Sequence, residues 1–159
     1  EGEWQYAASY QDGNSWTMRN WASGARTFCT DLWDAGPANG VVDGKDANDE
    51  VAVYGSYWEI EFYWEPTGVT GLADVGTKKP NQIGACDMSG NAAEWCWDWD
   101  DVWPWDAQQD YRGPAGGTER IVRGGNYARD ASWLAVGQRE SDAAEIAMVS
   151  RGLRVVRVP

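Results

Sequence analysis

From Asp87 to Trp99 the chain turns tightly and then alternates, and few backbones satisfy both instructions in so short a span. Asp87-Met-Ser-Gly-Asn91 is a cluster of turn formers. Ala92-Ala-Glu-Trp-Cys-Trp-Asp-Trp99 then alternates apolar and polar residues at period two, which predicts a strand with Trp95, Trp97 and Trp99 on one face. Cys96, set between tryptophans, reads as a small buried hydrophobe.

Weaker signals flank this block. Trp4, Ala7 and Ala8 recur at helical spacing, so the first eight residues read as a short amphipathic helix. From Asp12 to Asp49 the pattern dissolves among Gly13, Gly24, Gly36, Pro37, Gly40 and Gly44, predicting loops with one short element near Arg26–Trp33. Gly55–Trp64 reads as a strand or an extended packing segment, and Pro66–Pro80 as a loop. Asp100–Gly117 is a further loop, carrying Trp103 and Trp105. Arg120–Arg123 is a short strand that stops at Gly124-Gly125. Ala131–Arg139 is expected to be another strand, and Arg154–Val158 a closing one. Strands are short, loops long and helix scarce. Loops of this length in a compact domain are functional or pinned by a ligand or ion.

The 159 residues suffice for one domain. The chain has 12 Trp and 7 Tyr against 2 Phe, a choice that suits loop-built interiors and binding surfaces, because both rings join an apolar body to a polar tip. Histidine is absent, which excludes Ser-His-Asp and Cys-His relays and imidazole metal sites. A net charge of −12 argues against nucleic acid as a partner. Nothing resembles a transmembrane span or a signal peptide. Cys29, Cys86 and Cys96 show no CxxC spacing, so neither a zinc knuckle nor a thioredoxin-like site is supported; a disulfide from Cys29 to one of the others stays open.

Several motifs then fall in one order: Glu1-x-Glu3-Trp4-x-Tyr6-Ala7-Ala8, Val75-Gly76 with Pro80-Asn81, Gly84-x-x-Asp87-Met88-x-Gly90-Asn91-x-x-Glu94-Trp95, Arg123-Gly124-Gly125 and Arg151-Gly152-Leu153-Arg154. Together they resemble the formylglycine-generating-enzyme, or sulfatase-modifying-factor, type of domain. The resemblance implies an α+β, C-type-lectin-like fold over 1–159, with short strands, few helices and long loops, expected to lack its N-terminal portion. Oxidases of that family need a copper-binding cysteine pair at positions falling near Ala131 and Val136. Neither is cysteine, and no cysteine follows Cys96. Cuprous ion wants soft thiolates, so no copper and no enzyme activity are expected.

The resemblance also implies a calcium site at Asp87, the carbonyls of Gly90 and Ala92, and Glu94. Carboxylates and carbonyls closely spaced over a turn are hard oxygen ligands. The alternative is that Asp87 caps the turn and Glu94 pairs with an arginine. The acidic run Asp43, Asp46, Asp49 and Glu50 lacks the EF-hand order and reads as a solvated loop.

Between the Arg-Gly-Gly and Arg-Gly-Leu-Arg motifs the chain follows no apolar period. Such a segment, fixed at both ends and irregular within, resembles the variable region of diversity-generating-retroelement proteins, which use this lectin-like domain for display. The resemblance implies a non-catalytic domain on a bacterial surface or outside the cell. Its binding face would lie within 127–150, at Tyr127, Ala128, Arg129, Asp130, Ser132, Trp133, Ala135, Gln138, Glu140 and Asp142, and would meet a protein or glycan ligand. Ala128, Arg129, Asp130, Ser132 and Ala135 belong to the residue set that adenine-directed rewriting of asparagine codons yields. Trp133, Gln138, Glu140 and Met148 fall outside it.

Overall fold

A computed structural model of the chain describes residues 1–9, 52–58, 64–81, 83–102, 106, 111 and 113–155, and for 57, 58, 64, 65, 131 and 132 it describes the backbone alone. The loops read between Asp12 and Asp49, the acidic run at Asp43–Glu50, and Trp103 and Trp105 lie outside the described residues.

Helix α1 spans Gly2–Ser9, as the helical spacing predicts. Ala8 is buried against Met88 and Val136, with Trp4, Ala7 and Ala85 packed around them. Strands β1 (Ser56–Trp58) and β2 (Trp64–Pro66) form a small antiparallel pair. The main sheet holds β3 (Ala93–Trp99), β4 (Glu119–Arg123), β5 (Arg139–Ala143) and β6 (Arg151–Gly152) in the order β5-β4-β3-β6. β4 runs antiparallel to both neighbours, whereas β6 lies parallel to β3. Short strands, few helices and long loops make this the α+β architecture expected. No helix among the described residues is long and apolar enough to cross a membrane.

The turn before β3 follows from local sterics. Gly90 has φ 79°, and a Cβ there would run into the Val53 carbonyl oxygen, so only glycine fits. Asn91, at φ 62°, is a residue type that tolerates this region and uses its side chain locally. Its Oδ1 accepts from Ala73 N at 3.0 Å and its Nδ2 donates to Ala73 O at 3.2 Å. Its backbone N–H donates to Val53 O at 2.8 Å, while its carbonyl accepts from Tyr127 N at 2.9 Å. One asparagine thus ties three loops to the start of β3.

β3 alternates as predicted, but the buried face is the polar one. Trp97 is 82% exposed, whereas Glu94 and Asp98 are buried. Register slips between Trp95↔Val122 and Trp99↔Arg120, a bulge that lifts the strand. The Arg120 guanidinium covers the outer rings, 3.4 Å from the Trp99 centroid and 4.8 Å from that of Trp97.

Two expected strands need correction. Ala131–Arg139 is not extended: Ala131–Leu134 is a 3₁₀ helix, and β5 begins only at Arg139. Turn hydrogen bonds hold it, from Arg129 N to Asn126 O at 3.0 Å and Trp133 N to Asp130 O at 3.1 Å, while Leu134 and Val136 both sink into the core. Among the described residues the last strand is Arg151–Gly152, and Arg154 and Val155 are not part of a strand. Arg154 leaves the sheet because Glu94 and the Cys86 carbonyl take its guanidinium. Residues Val156–Val158 lie outside the described set.

Candidate binding cavity

Beyond β4 the Arg123-Gly124-Gly125 motif fixes where the next segment goes. Arg123 is 1% exposed. Its Nη2 donates to Val136 O at 2.8 Å and Gln5 Oε1 at 2.9 Å, and its Nη1 donates to Gln138 O. Glu1 lies 3.4 Å from its Nε, and Trp4 stacks at 5.0 Å. Burial lowers its pKa, with the Glu1 carboxylate acting against that shift. Gly125 has φ 65°, and a Cβ there would meet Leu134 Cδ2 at 2.5 Å and Trp133 O at 2.6 Å. The turn therefore seats the 3₁₀ helix directly against the sheet.

The chain leaves that turn, passes through the helix and β5, and returns at β6. Between these pieces lies an open cavity of about 580 Å³. Ala128, Arg129 and Trp133 form one wall, Arg139–Asp142 of β5 a second, and Met148, Ser150 and Arg151 a third. Arg129 rests over Trp133, 4.3 Å from the ring centroid, and donates from Nη2 to Glu140 Oε2 at 2.8 Å. Arg151 donates to the same oxygen at 3.3 Å and holds Asp142 Oδ2 through Nε at 3.0 Å. Arg139 turns outward to Glu1, at 3.0 Å, and to Asp100, at 2.6 Å.

The sequence-marked face divides here. Ala128, Arg129, Trp133, Glu140 and Asp142 come together around the cavity. Tyr127, Asp130, Ala135 and Gln138 do not line it. Tyr127 is anchored to Asn91, Asp130 bridges to Ser56, and the Ala135 and Gln138 carbonyls accept from Gln138 N and Arg123. Ser132 sits in the 3₁₀ helix, with its side chain outside the described set. Asn126, Arg139, Ser141, Met148, Ser150 and Arg151 line the cavity without having been singled out for it. Arg151 carried a signal, the Arg-Gly-Leu-Arg motif, but one that reads as framework.

The quartet Asp87, Gly90, Ala92 and Glu94 has different surroundings. The Glu94 carboxylate receives Arg154 Nε at 2.9 and 3.0 Å, Arg154 Nη2 at 2.6 Å and Trp4 Nε1 at 2.8 Å. Burial works against the charged guanidinium, but the Glu94 hydrogen bonds and the charges of Glu94 and Asp87 together outweigh it, so the Arg154 pKa is raised. Asp87 Oδ2 accepts from Gly76 N at 2.6 Å, while its Oδ1 is buried without a partner. Asp87 keeps an acceptor free, but Glu94 has already spent its lone pairs on a cation. The set does not fit calcium unless Arg154 is displaced.

At the positions read for the family's copper thiols, Ala131 opens the 3₁₀ helix and Val136 is 1% exposed in the core. Cys86 and Cys96 are free thiols. Burial pushes the Cys96 thiol up to about 11.

Residues 1–159 match the family described as the Sulfatase-modifying factor enzyme 1-like domain. The chain belongs to that family. Within it, a stretch of 68 residues is 40% identical to the formylglycine-generating enzyme of Thermomonospora curvata, covering 38% of this chain and 22% of that protein. Another of 83 residues is 32% identical to the chaperone protein LppX of Paenibacillus barcinonensis, covering 52% and 26%. The fold is similar to Treponema denticola variable protein 1, with TM-score 0.64 and 30% identity over 95% of this chain and 43% of that one. PvdO of Pseudomonas aeruginosa shares the fold at TM-score 0.58 and 18% identity, over 95% and 48%. This member of the sulfatase-modifying-factor family thus spans about a quarter of the curated relatives and under half of the solved ones.

Proposed function

We propose that the chain is a non-catalytic ligand-binding module whose segment 127–150 forms the binding surface. The carrying observation is the cavity: residues from that segment enclose it together with Arg151, while the turn beneath is fixed by Arg123, Gly125 and Asn91. Loops that carry function on a rigid scaffold have this division of labour. The likeness to a variable protein over 95% of the chain supports a display role, with retroelement-driven variation of the segment and a place on a bacterial surface or outside the cell. The ligand is a protein or a glycan; the chain's charge disfavours nucleic acid. Valine in the core near one family thiol position, with no cysteine after Cys96, counts against an oxidase.

The test is a display library randomised at Ala128, Arg129, Trp133 and Met148 and selected on hen lysozyme. Folded variants should emerge whose binding is lost when those positions revert. Unfolded variants, or none that bind, would overturn the reading. The retroelement has its own test in the genome. An adenine-differing near-copy of the DNA for Tyr127–Arg151 should lie beside a reverse transcriptase gene, and its absence removes that half of the proposal alone.

A further inference from the structure

Two arginines, Arg129 and Arg151, meet two carboxylates, Glu140 and Asp142, at the cavity, while the guanidinium of Arg139 is taken by Glu1 and Asp100, which do not line it. One oxygen of Glu140 bridges two guanidiniums, those of Arg129 and Arg151. That oxygen marks where an acceptor sits best. Arg151 is the deeper partner, its side chain only 7% exposed, and its Nη1 is buried with no hydrogen-bond partner. A guanidinium has five donors, and a buried one left unspent calls for an explanation. Arg129 is the outer partner, its side chain 40% exposed and its plane backed by Trp133. Their ion pair is open to solvent on the Arg129 side only, because the Glu140 side chain is 11% exposed.

Resting on the reading of the chain as a binding module, we propose that the ligand presents a carboxylate, which takes the place of Glu140 between Arg129 and Arg151. The carboxylate meets Arg129 first, at the mouth, held flat by the Trp133 ring. As Glu140 yields, the incoming oxygens reach Arg151, and a planar two-oxygen group satisfies more of its donors than the single Glu140 oxygen does. Glu140 and Asp142 keep both arginines in position until then. Glu140 is thus an internal stand-in for the ligand, and removing its charge should strengthen binding.

The experiment titrates the full chain with glutarate and, in parallel, with its neutral isostere glutaramide. The Trp133 indole N–H and the Arg129 Nε–H are followed by NMR. Glutarate should produce saturable shifts at both groups and glutaramide none. Glu140→Gln should tighten glutarate about ten-fold, and Arg129→Ala should weaken it about ten-fold, the scale of one charge-assisted hydrogen bond. Arg129→Ala removes an exposed side chain, so it remains a test even where Glu140→Gln unfolds. Equal binding of glutaramide, no saturable shift, or weaker glutarate binding by folded Glu140→Gln would each overturn the proposal. Lysozyme binders from the library alongside a silent glutarate titration would leave the binding module standing and remove the carboxylate. Failure of both would remove both.

Discussion

The two arginine clusters of this domain use the same chemistry to opposite ends. Arg123 is sealed under α1, and its Nη groups are spent on backbone carbonyls and Gln5. Its bonds fix the path of the chain, because a carbonyl bonded to a buried guanidinium cannot drift. Arg129 and Arg151 bond to side chains instead, and those side chains line a cavity. The first cluster stabilises one backbone conformation. The second joins side chain to side chain, and the proposed entry of a ligand carboxylate relies on exchanging one of those partners.

That contrast can be broken by experiment. Arg123→Ala should be the most damaging change, costing about 3–5 kcal/mol because Glu1, Gln5 and two carbonyls lose a buried partner; a denaturant melt near wild-type stability would erase the distinction. Cys96 gives a pH signature for the framework. Its thiol stays protonated to about 11 in the folded chain against an ordinary 9.0. The associated stability is whole below pH 9 and lost as pH rises toward 11, a loss of roughly 2–3 kcal/mol. Melts from pH 8 to 11 should show a slope that Cys96→Ala reduces. Arg154→Ala should cost about 2 kcal/mol by leaving Glu94 buried and unpaired. In the same melts, a chelator should leave the wild-type Tm unchanged, since an ion at Glu94 would have to displace that arginine; a fall in Tm would reinstate calcium. Arg129→Ala should be mildest, below about 1 kcal/mol, because its side chain is 40% exposed and Glu140 keeps Arg151 as a partner. A larger loss would move Arg129 into the framework.

Features set by short-range sterics were legible in sequence. The turn at Gly90-Asn91, the end of β4 at Gly124-Gly125 and the alternation of β3 all follow from what neighbouring atoms permit. The direction in which β3 faces was not, because it depends on Arg154 reaching Glu94 from a remote part of the chain. The segment at Ala131–Arg139 misled for a related reason. The 3₁₀ helix buries Leu134, and Val136 just beyond it sinks into a core that Ala8 of α1 and Met88 complete. Half of the marked binding face reached the cavity. Tyr127, Asp130, Ala135 and Gln138 do not line it, and their backbone groups hold the loop in place. Arg151 was the reverse: its motif looked like scaffold, and the parallel β3–β6 pairing brought it to the cavity.

That pairing has a further consequence. Arg123 is opposite Glu94, and Arg151 is opposite Ala93, so the excursion between them, which lays β5 along the far side of β4, starts and ends beside adjacent residues of β3. Its neck is closed by backbone bonds whatever lies inside. Closing a longer flexible loop costs only about 0.6 kcal/mol for each doubling of its length. The excursion is therefore a natural insertion point: extra residues placed at its exposed turn, Ala144–Val149, should lengthen the lip of the cavity and leave the strands beneath in register.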